Sequence, residues 1–353
     1  MINTNNIFQT QLFIAGPCSA ETEEQVLETA ISIKENAPQV KMLRAGIWKP
    51  RTRPNSFEGI GEKALQWLKN AGKETQLPVC TEVANAHHVE KALKAEIDVL
   101  WIGARSTVSP FIVQEIADAL KGVNIPIMVK NPVNPDLSLW IGAIERIENA
   151  GIKQMAAIHR GFSSYNKTKY RNVPNWEIPI ELRRQLPNIP IICDPSHIAG
   201  KRDLIAQVCQ QAMNLQYNGL MIETHQNPNK AWSDAEQQIT PETLGSLLTS
   251  LKTDKTEVSN KEDNAHPTLH HLRQEIDRLD NYILELLAER MDISTQIGKF
   301  KRANNIAVYQ PKRWDYTIKR ALEIGKTNGL SEEFILALFQ KIHNESIEKQ
   351  NKE

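Results

Sequence analysis

The chain has 353 residues, with 42 Lys plus Arg set against 42 Asp plus Glu, so its formal net charge is zero. That balance argues against a nucleic-acid-binding or membrane-surface protein, which usually carries a basic excess. No apolar run is long enough to span a bilayer, and "MINTNNIFQT" lacks the basic-then-apolar order of a signal peptide, so a cytoplasmic protein with no membrane or nucleic-acid partner is expected.

From Leu12 to Leu251 short apolar runs alternate with amphipathic stretches. The runs, eight in all, are "LFIAG", "VKMLRAG", "LPVCTEV", "VLWIG", "IPIMVKN", "QMAAIHRG", "IPIICDPSH" and "GLMIETH". Between them, segments such as "EEQVLETAISIKENA" and "SPFIVQEIADALKG" repeat apolar residues at helical spacing. Runs apolar throughout suit strands buried on both faces, as in a parallel sheet. Eight strand–helix units over roughly 240 residues predict an α/β fold, a (β/α)8 TIM barrel. A doubly wound open sheet is the alternative, weakened because no G-x-G-x-x-G opens the first helix. Cys18, Cys80, Cys193 and Cys209 show no paired spacing and read as reduced thiols, the last three as core residues.

After Leu251 the character changes. "KTDKTEVSNKEDNAHP" is polar and reads as a linker. The expected division is a barrel over 1–252, a linker over 253–266 and a smaller all-α three-helix domain over 267–353. Leu269, Leu272, Ile276, Leu279, Ile283, Leu286, Leu287, Met291, Ile297 and Phe300 follow three- and four-residue steps. They predict one helix on the order of 50 Å long, followed by two shorter ones near 312–326 and 331–349. Two short helices cannot cover so long an apolar stripe. A homodimer through this domain is expected, with a higher oligomer left open.

The active site of a TIM barrel lies at the C-terminal ends of its strands. Those ends carry Arg44 with Lys49, Arg51 and Thr52 in the following loop, then Glu82, Arg105, Lys130, His159 with Arg160, Asp194 with His197, and Glu223 with His225. So many cations on one rim of a neutral protein point to a polyanionic, phosphorylated ligand. Closure of the barrel would also bring Cys18, His197 and Glu223 together, with Asp234 in reach from the loop after strand eight. A lone cysteine after a strand is ordinarily a small buried hydrophobe; the joint placement is what suggests a divalent metal site, for which manganese, iron, cobalt and zinc all fit.

Taken in order, "GPCS", "RAGIWKPRT", "GARS", "VKNP", "HRG", "DPSHIAGKR", "IETH" and "SD" resemble the 3-deoxy-D-arabino-heptulosonate-7-phosphate synthases, in the subgroup close to the 3-deoxy-octulosonate-8-phosphate synthases. The octulosonate enzymes have an Asn-containing loop where this chain has "KPRT". The resemblance implies that Arg44, Arg105, Lys130 and Arg160 bind phosphoenolpyruvate, and that Arg51 and Thr52 hold the phosphate of erythrose 4-phosphate. It makes Lys49 a catalytic donor between the substrates and Cys18, His197, Glu223 and Asp234 the metal ligands, with manganese foremost. "AWSDAEQ" departs from the family's usual Asp-Gly order at Asp234.

Further on, "LRQEIDRLDNYILELLAERM", "IGKFK", "VYQPKR" and "SIEKQ" resemble the all-helical chorismate mutases. That resemblance implies Arg290, Lys301 and Gln350 as catalytic residues, the last two at the ether oxygen. Arg273 (reaching from a partner chain), Arg313 and Ser346 would bind chorismate or prephenate. Trp314 and Gln310 stand where many such mutases have carboxylates facing the substrate's hydroxyl side. A bifunctional enzyme of aromatic amino acid biosynthesis is expected, with end-product regulation through the helical domain. The alternative makes that domain chiefly a dimerising sensor of chorismate or prephenate.

Overall fold

The computed structural model describes residues 7–8, 11–50, 55–165, 168–252 and 267–351. The chain forms two compact units, residues 1–255 and 256–353. In the first, β1 (Leu12–Gly16), β2 (Val40–Arg44), β3 (Val79–Val83), β4 (Val99–Ile102), β5 (Ile127–Lys130), β6 (Met155–His159), β7 (Ile191–Cys193) and β8 (Gly219–Glu223) follow the apolar runs one for one. They pair in parallel, in sequence order, and close into a barrel. β8 returns beside β1 with Glu223 opposite Gly16. The open sheet is thereby excluded.

The helices of this unit are α1 (Glu23–Asn36), α2 (Lys63–Thr75), α3 (Ala86–Lys94), α4 (Ala104–Thr107), α5 (Pro110–Ala119), α6 (Leu137–Asn149), α7 (Glu177–Gln185), α8 (Pro195–Ala199), α9 (Ile205–Asn214) and α10 (Pro241–Ser250). Among the described residues no helix is long and apolar enough to cross a membrane. All four cysteines are free and buried.

The pleat of the strands decides what reaches the barrel mouth. Leu12, Ile14, Met42, Cys80, Val99, Trp101, Met128, Ala156, Ile158, Ile192 and Met221 fill the interior, joined by Phe8 from before β1. Successive residues of a strand face opposite sides. Along β2, β3, β5, β6, β7 and β8 the next inward position is therefore Arg44 above Met42, Glu82 above Cys80, Lys130 above Met128, Arg160 above Ile158, Asp194 above Ile192 and Glu223 above Met221. Their neighbours Leu43, Val129, Ala157, Cys193 and Ile222 turn outward into the layer between strands and helices.

The same alternation corrects one expectation. His159, grouped with Arg160 on the rim by sequence, faces away from the mouth. Its Nε2 donates to the Pro174 carbonyl (2.6 Å) and its Nδ1 accepts from the Tyr217 hydroxyl (3.0 Å). Trp176 packs edge-on against the ring, with centroids 5.0 Å apart. Burial pushes the pKa of His159 down to about 4. The unfolded chain would protonate this histidine below pH ~6.5, while the folded one keeps it neutral. Its stabilising contribution is thus complete above pH ~6.5 and falls away towards pH 4, by roughly 3 kcal/mol over the window. Urea unfolding at pH 7 and pH 4.5 checks this: His159→Asn should show a flatter pH dependence than the parent.

The second unit consists of α11 (Pro267–Ala303), α12 (Pro311–Thr327) and α13 (Glu332–Asn351). α11 has 37 residues, so the long apolar stripe does form a single helix. α13 comes very close to it at Gly298, where an added Cβ would lie 2.7 Å from the Gln350 Cα. On α11, Leu272, Ile276, Leu279, Ile283, Leu286, Ile297 and Phe300 are 43–65% exposed. That apolar face is not covered by α12 or α13.

Candidate active sites

The barrel mouth is organised around Asp194. In "DPSH" this residue caps α8, accepting the His197 N–H at 3.2 Å, with Pro195 at the first helical turn. Its carboxylate also binds His197 Nδ1 (3.0 Å) and Lys130 Nζ (2.7 Å). Tying Nδ1 to a carboxylate leaves the other ring nitrogen as the lone-pair donor. That Nε2 lies 3.8 Å from Glu223 Oε1.

Cys18 arrives from the other side of the closure. Gly16 (φ +144°) ends β1 where a Cβ would lie 2.1 Å from the Arg44 carbonyl, so only glycine lets the chain turn there. The Cys18 N–H donates to Gln238 Oε1 (3.0 Å), its thiol donates to Asp234 Oδ2 (3.2 Å), and Lys49 Nζ donates to its sulfur (2.9 Å). Cys18, Glu223 and Asp234 offer ligand atoms that all lie within 4.8 Å of one another. His197 stands outside this trio but borders it through Glu223. Among the described residues, buried Glu223 Oε1 accepts no hydrogen bond and faces only the ion-pair contact with Arg44 and the His197 ring. Sulfur, two carboxylates and an oriented imidazole fit a divalent ion.

Burial, then Glu223, pushes the Cys18 thiol up to about 12, against the pull of Lys49. A neighbouring divalent charge is what would favour its thiolate. Burial also disfavours ionised Asp194, Glu223 and Asp234, yet His197 with Lys130, His197 with Arg44, and Lys49 with Arg171 hold their respective carboxyls below the usual range.

The cations form a second layer. Arg44 is only 1% exposed and lies 3.2 Å from Glu223 Oε1. Its Nε and Nη1 are buried and, among the described residues, have no hydrogen-bond partner. The Trp101 ring forms an apolar floor, 5.0 Å from the Arg44 guanidinium and 5.7 Å from Lys130 Nζ. Arg160 donates to Asn172 Oδ1 at 2.6 Å. Burial, and the like charges of Arg171 and Arg105 in spite of Asp194, push its guanidinium down to about 10. Arg105 itself is exposed. Arg51, Thr52 and the neighbouring Arg53 lie outside the described residues, as does the expected linker.

Two further residues were not marked by the sequence. Arg171 pairs with Asp234 Oδ1 at 2.9 Å, and Gln237 Nε2 donates to Glu223 Oε2 at 2.6 Å. Nothing in "SSYNKTKYRNV" distinguishes Arg171 from a solvated loop cation. His225 also departs from the rim grouping: its Nδ1 accepts the Asn227 N–H at 2.8 Å, and it is buried beside Glu21.

In the helical unit a second polar cluster joins α11 to α13. Arg290 Nη1 donates to Ser346 Oγ. Lys301 Nζ donates to Gln350 Oε1 (3.0 Å) and to the Val308 carbonyl (2.7 Å). Ser346 and Gln350 are buried, and burial lowers the pKa of both Arg290 and Lys301. Arg313 is exposed and rests over the Tyr316 ring. Arg273 is exposed on α11.

Residues 8–260 match the DAHP synthetase I family. The chain belongs to that family. Its helical unit matches a second one, chorismate mutase type II, over residues 272–351. This DAHP synthetase I member is 32% identical over 239 residues to the phospho-2-dehydro-3-deoxyheptonate aldolase of Thermotoga maritima, covering 68% of each chain. It is 28% identical over 260 residues to a 2-dehydro-3-deoxyphosphooctonate aldolase of Legionella pneumophila, covering 68% of this chain and 89% of that one. Its fold matches the crystal structure of the Thermotoga maritima DAHP synthase with a TM-score of 0.60 at 30% identity, over 67% of both chains. The protein is thus an enzyme that joins a DAHP synthase barrel to a chorismate mutase domain.

Proposed function

We propose that the barrel condenses phosphoenolpyruvate with erythrose 4-phosphate in a reaction that requires a divalent metal, manganese foremost. The observation that carries this reading is buried Arg44, two of whose donors have no partner among the described residues, near the same Trp101 ring as Lys130 and 3.2 Å from Glu223 of the Cys18–Glu223–Asp234 cluster. Anion site and metal site thereby share one mouth. Arg44, Lys130, Arg160 and Arg105 would hold the carboxylate and phosphate of phosphoenolpyruvate, and Arg51 with Thr52 the sugar phosphate. These cations offset the repulsion between two polyanions and place the vinyl carbon against the aldehyde. Cys18, His197, Glu223 and Asp234 would hold the ion, which when bound polarises the aldehyde as a Lewis acid. Lys49 lies beside Cys18 and donates a hydrogen bond near the reacting centre. The vinyl carbon attacks the aldehyde carbon, whose oxygen takes up the carbonyl electron pair and a proton, and positive charge is left on the phosphate-bearing carbon; water adds there with loss of a proton, and phosphate leaves as the ketone forms. A paired assay tests the reading. Phosphoenolpyruvate loss should require erythrose 4-phosphate and not respond to arabinose 5-phosphate, should cease in chelator and should return with manganese. Full activity in chelator would remove the metal.

The helical unit rearranges chorismate to prephenate in the same proposal. An intramolecular rearrangement needs no nucleophile, only a compact dicarboxylate conformer and charge stabilisation at the breaking ether oxygen. Arg290 and Arg313, with Arg273 from a second copy, would take the carboxylates, Ser346 would support binding, and Lys301 and Gln350 would address the ether oxygen. The uncovered apolar face of α11 favours a homodimer through this unit. Trp314 and Gln310, in place of carboxylates, favour a second reading in which the unit chiefly senses chorismate or prephenate and regulates the barrel. Chorismate consumption by the full-length chain separates the two.

A further inference from the structure

α13 carries His343, Ser346 and Gln350 at spacings of three and four, so the three side chains lie along one face. Ser346 and Gln350 meet Arg290 and Lys301, the cluster described above. His343 continues that row by one turn. Its ring is clamped from α12: Trp314 stacks on it with centroids 4.0 Å apart and planes 23° from parallel. The Tyr309 ring stands 6.1 Å away, tilted by 58°. His343 is half-buried, but its Nε2 is fully buried and, among the described residues, has no hydrogen-bond partner. Burial, then the positive charges of Arg290 and Lys301, lowers its pKa and keeps the ring neutral.

A buried, uncharged nitrogen without a partner gains a hydrogen bond when the uncharged polar group of a ligand displaces what covers it. Chorismate and its rearrangement product each bear two carboxylates, which cations satisfy, and one ring hydroxyl, which they do not need to. We infer that His343 Nε2 is a substrate-binding group of the mutase site that hydrogen-bonds the ring hydroxyl, with Trp314 holding the imidazole in position. This deepens the mutase reading and rests on it. It also gives Trp314 a purpose at a place where a carboxylate was expected: hydroxyl recognition is moved onto the adjacent helix.

The test uses the full-length chain and a non-reacting oxabicyclic dicarboxylate that mimics the rearrangement transition state, in two forms, with the hydroxyl and with hydrogen in its place. Calorimetry should show the parent binding the hydroxyl form about tenfold more tightly, the size expected of one good hydrogen bond. His343→Leu should erase that preference while leaving affinity for the hydrogen form within about twofold. His343→Gln, which keeps an N–H at a similar reach, should restore part of it. Equal weakening of both forms by His343→Leu, or no preference in the parent, would overturn the inference. Failure of the parent to bind either form would instead overturn the mutase reading, and this inference with it.

Discussion

Changing Lys301 to alanine is expected to slow the chorismate rearrangement by about 10²–10³-fold, the usual loss on removing one preorganised donor to developing negative charge. The ammonium is already oriented, with one proton on the Val308 carbonyl and another on Gln350 Oε1. It needs no reorganisation to meet an ether oxygen that gains charge as its bond to carbon breaks. Because Gln350 holds Lys301 in place, Gln350→Ala should cost less than Lys301→Ala, and the double variant less than the product of the two single effects. Condensation by the barrel should be unchanged in all three. Steady-state rates of chorismate and phosphoenolpyruvate consumption on the same preparations check this. Loss of both activities together would indicate general unfolding and not the assigned role.

Asp194→Asn should be the most damaging single change in the barrel that removes no proposed ligand. This carboxylate orients His197 through Nδ1, neutralises buried Lys130 and caps α8. Asparagine keeps the shape and the cap acceptor but removes the charge. Lys130 is then left buried and unpaired, a loss of roughly 3–5 kcal/mol when one partner of a buried ion pair is removed. His197 loses the partner that fixes its tautomer, which typically weakens metal affinity 10–100-fold. The expected result is weakened manganese binding by equilibrium dialysis together with a lower urea midpoint. A variant with parental metal affinity would show that His197 takes no part in holding the ion.

How much of this was readable in advance depends on which physical signal each element leaves. The eight strands were legible because a two-sided burial requires uninterrupted apolar runs, and α11 because its stripe persists from Leu269 to Phe300, about nine turns. That same two-sided burial hides strand parity, since inward and outward positions are equally apolar. Hence His159 and Arg160, adjacent in sequence, looked equivalent until closure showed that one continues the interior row above Ile158 and the other does not. Asp194 was placed at a strand end, but its triple service to α8, His197 and Lys130 follows only from three-dimensional proximity. Arg171 reaches Asp234 across 63 positions from a polar loop with no periodicity to betray it. His343 carries no sequence signal of its own; only its stacking on Trp314 and its nitrogen without a partner among the described residues mark it out.

In the proposed reaction the barrel mouth binds one divalent ion through the sulfur of Cys18. Titrating cobalt(II) into metal-free full-length protein tests it most directly, because a thiolate ligand gives a sulfur-to-cobalt charge-transfer absorption that oxygen and nitrogen ligands do not. This band should grow to saturation at one equivalent in the parent and be absent in Cys18→Ser. Stoichiometric cobalt binding in the parent without the band, or identical titrations for parent and variant, would contradict it.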